Sequence, residues 1–158
     1  MARPEDLPVD YVLMRRDIIA KARTWVGVKY RHQGRSRRDG VDCAGLLFGV
    51  SDEFGHHVEV SLGYSSMPQR AMILDPMNKH CWKPARQDRL IPGDIGVFWG
   101  WNRSEPQHFA FIGESSGRLT VIHSYSKYMK VVEQGFNRLW EQKFHCLYVL
   151  AGTEETYT

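Results

Sequence analysis

Three cysteines in 158 residues are too few, and odd in number, for a disulfide framework, so free thiols are expected. No stretch approaches the roughly 18 consecutive apolar residues of a membrane-crossing helix. The first twenty residues, MARPEDLPVDYVLMRRDIIA, place Glu5, Asp6, Asp10 and Asp17 among their apolar positions and lack a secretory hydrophobic core. Internal repeats, low-complexity tracts and Gly/Ser linkers are missing, which leaves a single domain over residues 1–158. A chain of that length buries about two-thirds of its unfolded surface and needs no staple. A net charge of +3 is too small to dictate a partner. With 42% hydrophobic and 25% charged residues, collagen, wholesale disorder and a coiled coil are excluded. No C-x-x-C or H-x-x-x-H spacing suggests a metal site, although His56-His57, His80-Cys81 and His145-Cys146 are adjacent pairs.

What is present divides into two textures. Ile18, Ile19, Ala22, Trp25 and Val26 recur at helical spacing and predict a helix over 15–26, stopped near Gly27. The polar stretch YRHQGRSRRDG follows as a loop. Ala44, Leu47, Phe48, Val50 and Ser51 then mark a second helix, closed by Gly55, with Cys43 at or just before its first turn. A weaker helix is expected after Pro68. Beyond IPGD the segments IGVFWGW, HFAFIG, LTVIHSY, KVVEQ and FHCLYVLAG are short, β-branched and aromatic, and predict five strands. Their short connections favour antiparallel pairing. Helices first and strands second give an α+β domain.

The position of Cys43 carries the chemistry. A thiolate is the reactive form of cysteine, and a helix N-terminus favours the anion. Cys81 falls in a loop-like stretch, and Cys146 lies inside the last strand, where a cysteine is an apolar filler. A nucleophilic thiol needs a base, and the base needs a group to orient it. His108 opens one strand and His123 nearly ends the next, so antiparallel pairing can set them side by side at one end of the sheet. If the Cys43 helix abuts that end, the three become contiguous. The aromatic cluster Phe98, Trp99 and Trp101 either lines such a cleft or belongs to the sheet core and rim.

The segment ARTWVGVKYRHQGRSRRDGVDCAGLLFGV resembles the opening of NlpC-type (papain-like) cell-wall cysteine peptidases. The matching residues are Trp25, Gly27, Tyr30, Gly34, Gly40, Asp42, Cys43, Gly45 and Leu46, followed by Pro92-Gly93-Asp94, then His108 before FAFI, then His123. The motifs run from about Arg15 to Tyr148. More narrowly, the chain is similar to compact members encoded by tailed phages and gene transfer agents, through His32 to Arg35 and Val131 to Glu133. The resemblance implies nucleophile and N-terminal helices packed on a five- to six-stranded antiparallel sheet. It implies Cys43 as nucleophile, His108 as general base, His123 as its orienting partner and Tyr30 near the oxyanion site. Asp42 matches a residue that helps hold a substrate amine, but Ala44 stands where a serine hydroxyl often assists it.

The implied reaction is hydrolysis of an amide in a peptidoglycan stem peptide, most often between D-glutamate and the diamino acid, with no metal or other cofactor. The implied setting is a phage or transfer-particle tail, assembled in the cytoplasm beside other tail proteins and acting on the wall during DNA entry. The competing expectations are a tail-tip or wall-binding module without turnover, and an amidase or acyltransferase using the same Cys-His pair. Nine Lys and Arg residues against Asp17 give residues 15–38 a local charge of +8. That stretch is either a solvated face or a surface drawn to anionic polymer. It lacks the interleaved aromatics of a single-strand nucleic-acid binder, so no nucleic-acid partner is expected.

Overall fold

A computed structural model describes residues 12–56, 81–82, 89–100 and 106–157. The helix expected after Pro68, together with His57, His80 and Trp101, lies outside the described residues. Helix α1 spans Arg15–Arg23, shorter than its apolar pattern, because the chain passes through turns from Thr24 to a left-handed Gly27. A two-stranded ribbon of β1 (Arg35–Ser36) and β2 (Gly40–Val41) leads into α2 (Cys43–Glu53). The remaining strands are β3 (Cys81–Trp82), β4 (Ile95–Trp99), β5 (Pro106–Ser115), β6 (Arg118–Tyr125), β7 (Lys130–Gly135) and β8 (Phe144–Leu150). Helix α3, Arg138–Lys143, precedes β8.

These six strands form one sheet in the order β3-β8-β4-β5-β6-β7, antiparallel throughout. All five predicted strands are present, and the α+β class holds. Alternation along β5 divides the core. Phe109 and Phe111 face a cluster with Ile18, Ile19 and Ala22 of α1, Trp25 of the turn after it, and Leu47 and Val50 of α2. Ala110 and Ile112 face the other side, with Phe98, Val121, Leu147 and Trp140 of α3. Helix α1 comes close to α2 because Gly49 leaves room for the Trp25 indole. A Cβ at Gly49 would stand 2.5 Å from that ring.

A buried ion pair fixes the entry to the sheet. Arg15 and Asp94 are 1% and 0% exposed, with Arg15 Nη1 2.7 Å from Asp94 Oδ1. Arg15 also donates to the carbonyls of Pro92 and Glu154, while the Ile91 amide donates to Asp94 Oδ2 at 2.7 Å. The Pro92-Gly93-Asp94 turn is thereby clamped to α1, and Gly93, at φ +91°, supplies its left-handed step. Because Asp94→Ala strands a buried guanidinium, it is expected to cost about 3–5 kcal/mol in denaturant unfolding. An unchanged midpoint would show that the pair is not structural.

Candidate active site

Helix α2 begins at Cys43 because Asp42 caps it. Asp42 is extended, and its Oδ1 accepts the Gly45 amide at 2.8 Å. Its Oδ2 accepts the Gln33 amide at 2.8 Å, and Arg35 Nη1 donates to Oδ1 at 3.2 Å. Gly45 allows this loop to close on the helix, since a Cβ there would overlap the Gly34 carbonyl oxygen. Asp42 is 4% exposed, with both oxygens engaged by its own chain. It does not line the cleft around Cys43. Asp42, the residue expected to help hold a substrate amine, here contacts its own chain. The carboxylate is spent on the cap and the 33–35 loop.

Strands β5 and β6 bring the two histidines together as their positions predict. His108 Nε2 and His123 Nδ1 are 2.6 Å apart. That bond occupies Nε2 of His108 and leaves Nδ1 as its remaining ring nitrogen. His123 is fully buried and stacks on Tyr125, ring centroids 5.0 Å apart. The Trp140 indole stacks on His108 at 5.5 Å and meets His123 edge-on at 5.0 Å. The two imidazoles are thus held by a hydrogen bond and by aromatic faces. At the end of β6 the Ser124 hydroxyl donates to the Val41 carbonyl at 2.6 Å, tying the histidine strand to the entry of the Cys43 helix.

Cys43, Tyr30, Gln107 and His108 line one open cleft of about 260 Å³, walled by Trp99, Tyr125 and Trp140 with Lys143 beside them. Cys43 is half-buried, and its sulfur lies 3.9 Å from the carbonyl of Gln107, the residue before His108. Burial pushes the Cys43 thiol up to about 12, with the Asp42 carboxylate adding to the rise. The amides of Phe109, Ala44 and Cys43 pull it the other way but do not prevail. The pull of the helix N-terminus toward the anion is thus opposed by desolvation and by a neighbouring carboxylate. Burial, then His123 and Lys143, hold His108 well below its ordinary value. Burial lowers His123 to about 4, with the Gln134 side chain on β7 opposing. Both shifts favour the uncharged forms of the thiol and the imidazole. The Tyr30 hydroxyl is likewise kept protonated, by burial first and then by Cys43 and Asp42.

Helix α3 escaped the sequence reading. Its signals were Asn137, whose side chain caps the amides of Leu139 and Trp140, and a lone tryptophan in six residues. Of the adjacent His and Cys pairs, His145 packs on the Trp99 ring at 4.3 Å and Cys146 packs against the helix-side core, while His57 and His80 lie outside the described residues.

No protein-family model matches the chain, and no curated protein matches it in sequence. Solved structures do match it in shape. An NlpC/P60 family protein from Bacillus cereus superposes with a TM-score of 0.64 at 18% identity, covering 90% of this chain and 41% of its own. The NlpC/p60 domain of the peptidoglycan hydrolase SagA gives 0.55 at 18% identity, covering 87% and 98%. An N-acetylmuramoyl-L-alanine amidase from Bacteroides uniformis gives 0.63 at 12% identity, covering 86% and 97%. The fold is of the NlpC/P60 type. The chain spans less than half the length of the Bacillus cereus protein and of a Staphylococcus aureus NLP/P60 protein it also matches.

A neutral resting thiol has a kinetic signature. The rate of alkylation of Cys43 by iodoacetamide is expected to rise continuously with pH past 9. A plateau reached below about pH 7.5 would mean a preformed thiolate–imidazolium pair.

Proposed function

We propose that this chain is a cysteine peptidase that hydrolyses an amide in the stem peptide of peptidoglycan. One observation carries the reading: Cys43, Tyr30 and His108 share an open cleft, and His108 is bonded at 2.6 Å to the buried His123. The fold shared with NlpC/P60 proteins, SagA among them, supports peptidoglycan as the substrate class.

With Nε2 of His108 donating to His123, Nδ1 keeps its lone pair and accepts the Cys43 proton as sulfur attacks the carbonyl carbon. The oxyanion forms near the Tyr30 hydroxyl and the Cys43 amide at the start of α2, both donors. Collapse breaks the C–N bond, and His108 returns its proton to the departing amine. Water then attacks the thioester, giving its proton to His108, and the carboxylic acid leaves as Cys43 recovers its thiol. Since both partners rest neutral, proton transfer accompanies attack, and the cost of making charge in a buried site falls on the transition state. His108, held low, stays an unprotonated base well into the acid range. The bond expected by resemblance joins D-glutamate to the diamino acid.

A second reading is favoured by the near-complete coverage of the amidase from Bacteroides uniformis: the same dyad can cleave the muramoyl–L-alanine amide. We also place the enzyme in a phage or gene-transfer-agent tail, on the resemblance through His32 to Arg35 and Val131 to Glu133. Purified particles free of the chain would overturn that placement.

Purified cell wall digested by the wild-type chain is expected to release muropeptides cut within the stem. Cys43→Ala should lower release at least about a thousandfold while the fold is kept. Products cut at the muramoyl amide would establish the amidase reading. Undiminished release by Cys43→Ala would end both.

A further inference from the structure

Strand β6 carries His123 between two neighbours in the sheet, β5 with His108 on one flank and β7 on the other. Nδ1 of His123 meets His108. The other ring nitrogen, Nε2, stands across the ring on the flank of β7. It is sealed from solvent and makes no hydrogen bond among the described residues. A neutral imidazole that accepts at Nδ1 carries its proton at Nε2. The tautomer on which the mechanism above relies therefore buries an N–H donor, and a buried donor is costly to leave unpaired.

The strand register names the residue placed to accept that proton. Across the β6–β7 pair His123 is opposite Val132, and Val121 is opposite Gln134. Side chains alternate along a strand, so Gln134 is the diagonal neighbour of His123 on the face that also holds Val121 and Tyr125. Diagonal positions are within reach of a long side chain. Gln134 is half-buried, so its oxygen can turn inward while its NH2 group stays in water. The terminal torsion of a glutamine is broad, and a turn of the amide closes the bond. The aromatic neighbours are poorly suited to the task. The Trp140 indole N–H is a donor only. Tyr125 lies against the face of the His123 ring, 22° from parallel, outside the plane in which a ring N–H donates. Burial lowers the His123 pKa, and the Gln134 side chain opposes that fall, as an acceptor at the ring does.

We propose that Gln134 is a positioning residue of this site: its side-chain oxygen accepts the proton on His123 Nε2, which keeps His123 Nδ1 as the acceptor for His108 Nε2 and leaves Nδ1 of His108 bare to act as the base. The inference rests on the peptidase reading. The chain of bonds runs across three adjacent strands, from β7 through β6 to β5, and each link fixes the tautomer of the next. Gln134 itself touches neither the thiol nor the substrate. Its loss therefore acts on the base, through His123, and not on the binding of the wall peptide.

The test joins imidazole nitrogen-15 NMR of the full chain to kinetics on purified muropeptides. Wild type is expected to carry the His123 proton on Nε2. Gln134→Met keeps the length of the side chain and removes the acceptor. It should mix the two tautomers of His123 and lower kcat about tenfold with KM nearly unchanged. Gln134→Glu offers an acceptor at the same reach, and should keep the wild-type tautomer and most of kcat. A wild-type proton on His123 Nδ1 would overturn the proposal. So would a Gln134→Met chain with the wild-type His123 signals and kcat, or a Gln134→Glu chain as slow as Gln134→Met. Each of those results leaves an active wild type, and the peptidase reading, standing. A wild type inactive on wall and muropeptides would instead refute the peptidase reading and, with it, a positioning role for Gln134.

Discussion

The site depends on the bond between two imidazoles, His108 Nε2 to His123 Nδ1 at 2.6 Å. A histidine in a buried cleft is a usable base only if its ring is fixed and its proton sits on the nitrogen away from the nucleophile. Here the partner on the next strand is hydrogen-bonded to Nε2, and Trp140 holds the plane of the ring. His123 needs rigid support for this, and its complete burial against Tyr125 and Trp140 provides it.

The surrounding structure serves to bring a thiol to that base. Asp42 starts α2 at the sulfur-bearing residue, and Ser124 fastens the end of β6 to the chain entering that helix. The same arrangement sets a cost. Burial first, and the Asp42 carboxylate second, raise the thiol pKa, so the helix cap that positions the nucleophile adds to what disfavours its ionisation. Reactivity must then come from the moment of proton transfer and from donors aimed at the oxyanion, not from a stored thiolate. The basic stretch of residues 15–38 turns out to be largely internal in its pairing. Arg15 meets Asp94, Arg23 meets Glu133, Lys21 and Arg37 meet Glu53, and Arg35 meets Asp42.

Strands, both long helices and the placing of Cys43 were legible because each rests on local periodicity. Positions at the start of β5 and near the end of its neighbour β6 put His108 and His123 side by side at one end of the sheet. What was not legible depended on through-space effects. Asp42 reads the same in sequence whether it caps a helix or faces a ligand, and only its bonds to Gly45, Gln33 and Arg35 decide. The sign of the Cys43 shift is a contest between helix amides and desolvation, which a sequence cannot weigh. Helix α3 has six residues, too few for a periodic signal, yet it carries Trp140 over the dyad and Lys143 into the cleft.

Nitrogen-15 NMR of the imidazoles at neutral pH addresses the central claim without intermediaries. The account predicts two neutral rings, with the His108 proton on Nε2, its Nδ1 bare, and a hydrogen-bond coupling between His108 Nε2 and His123 Nδ1. A proton on His108 Nδ1, or an imidazolium at either position, would contradict it.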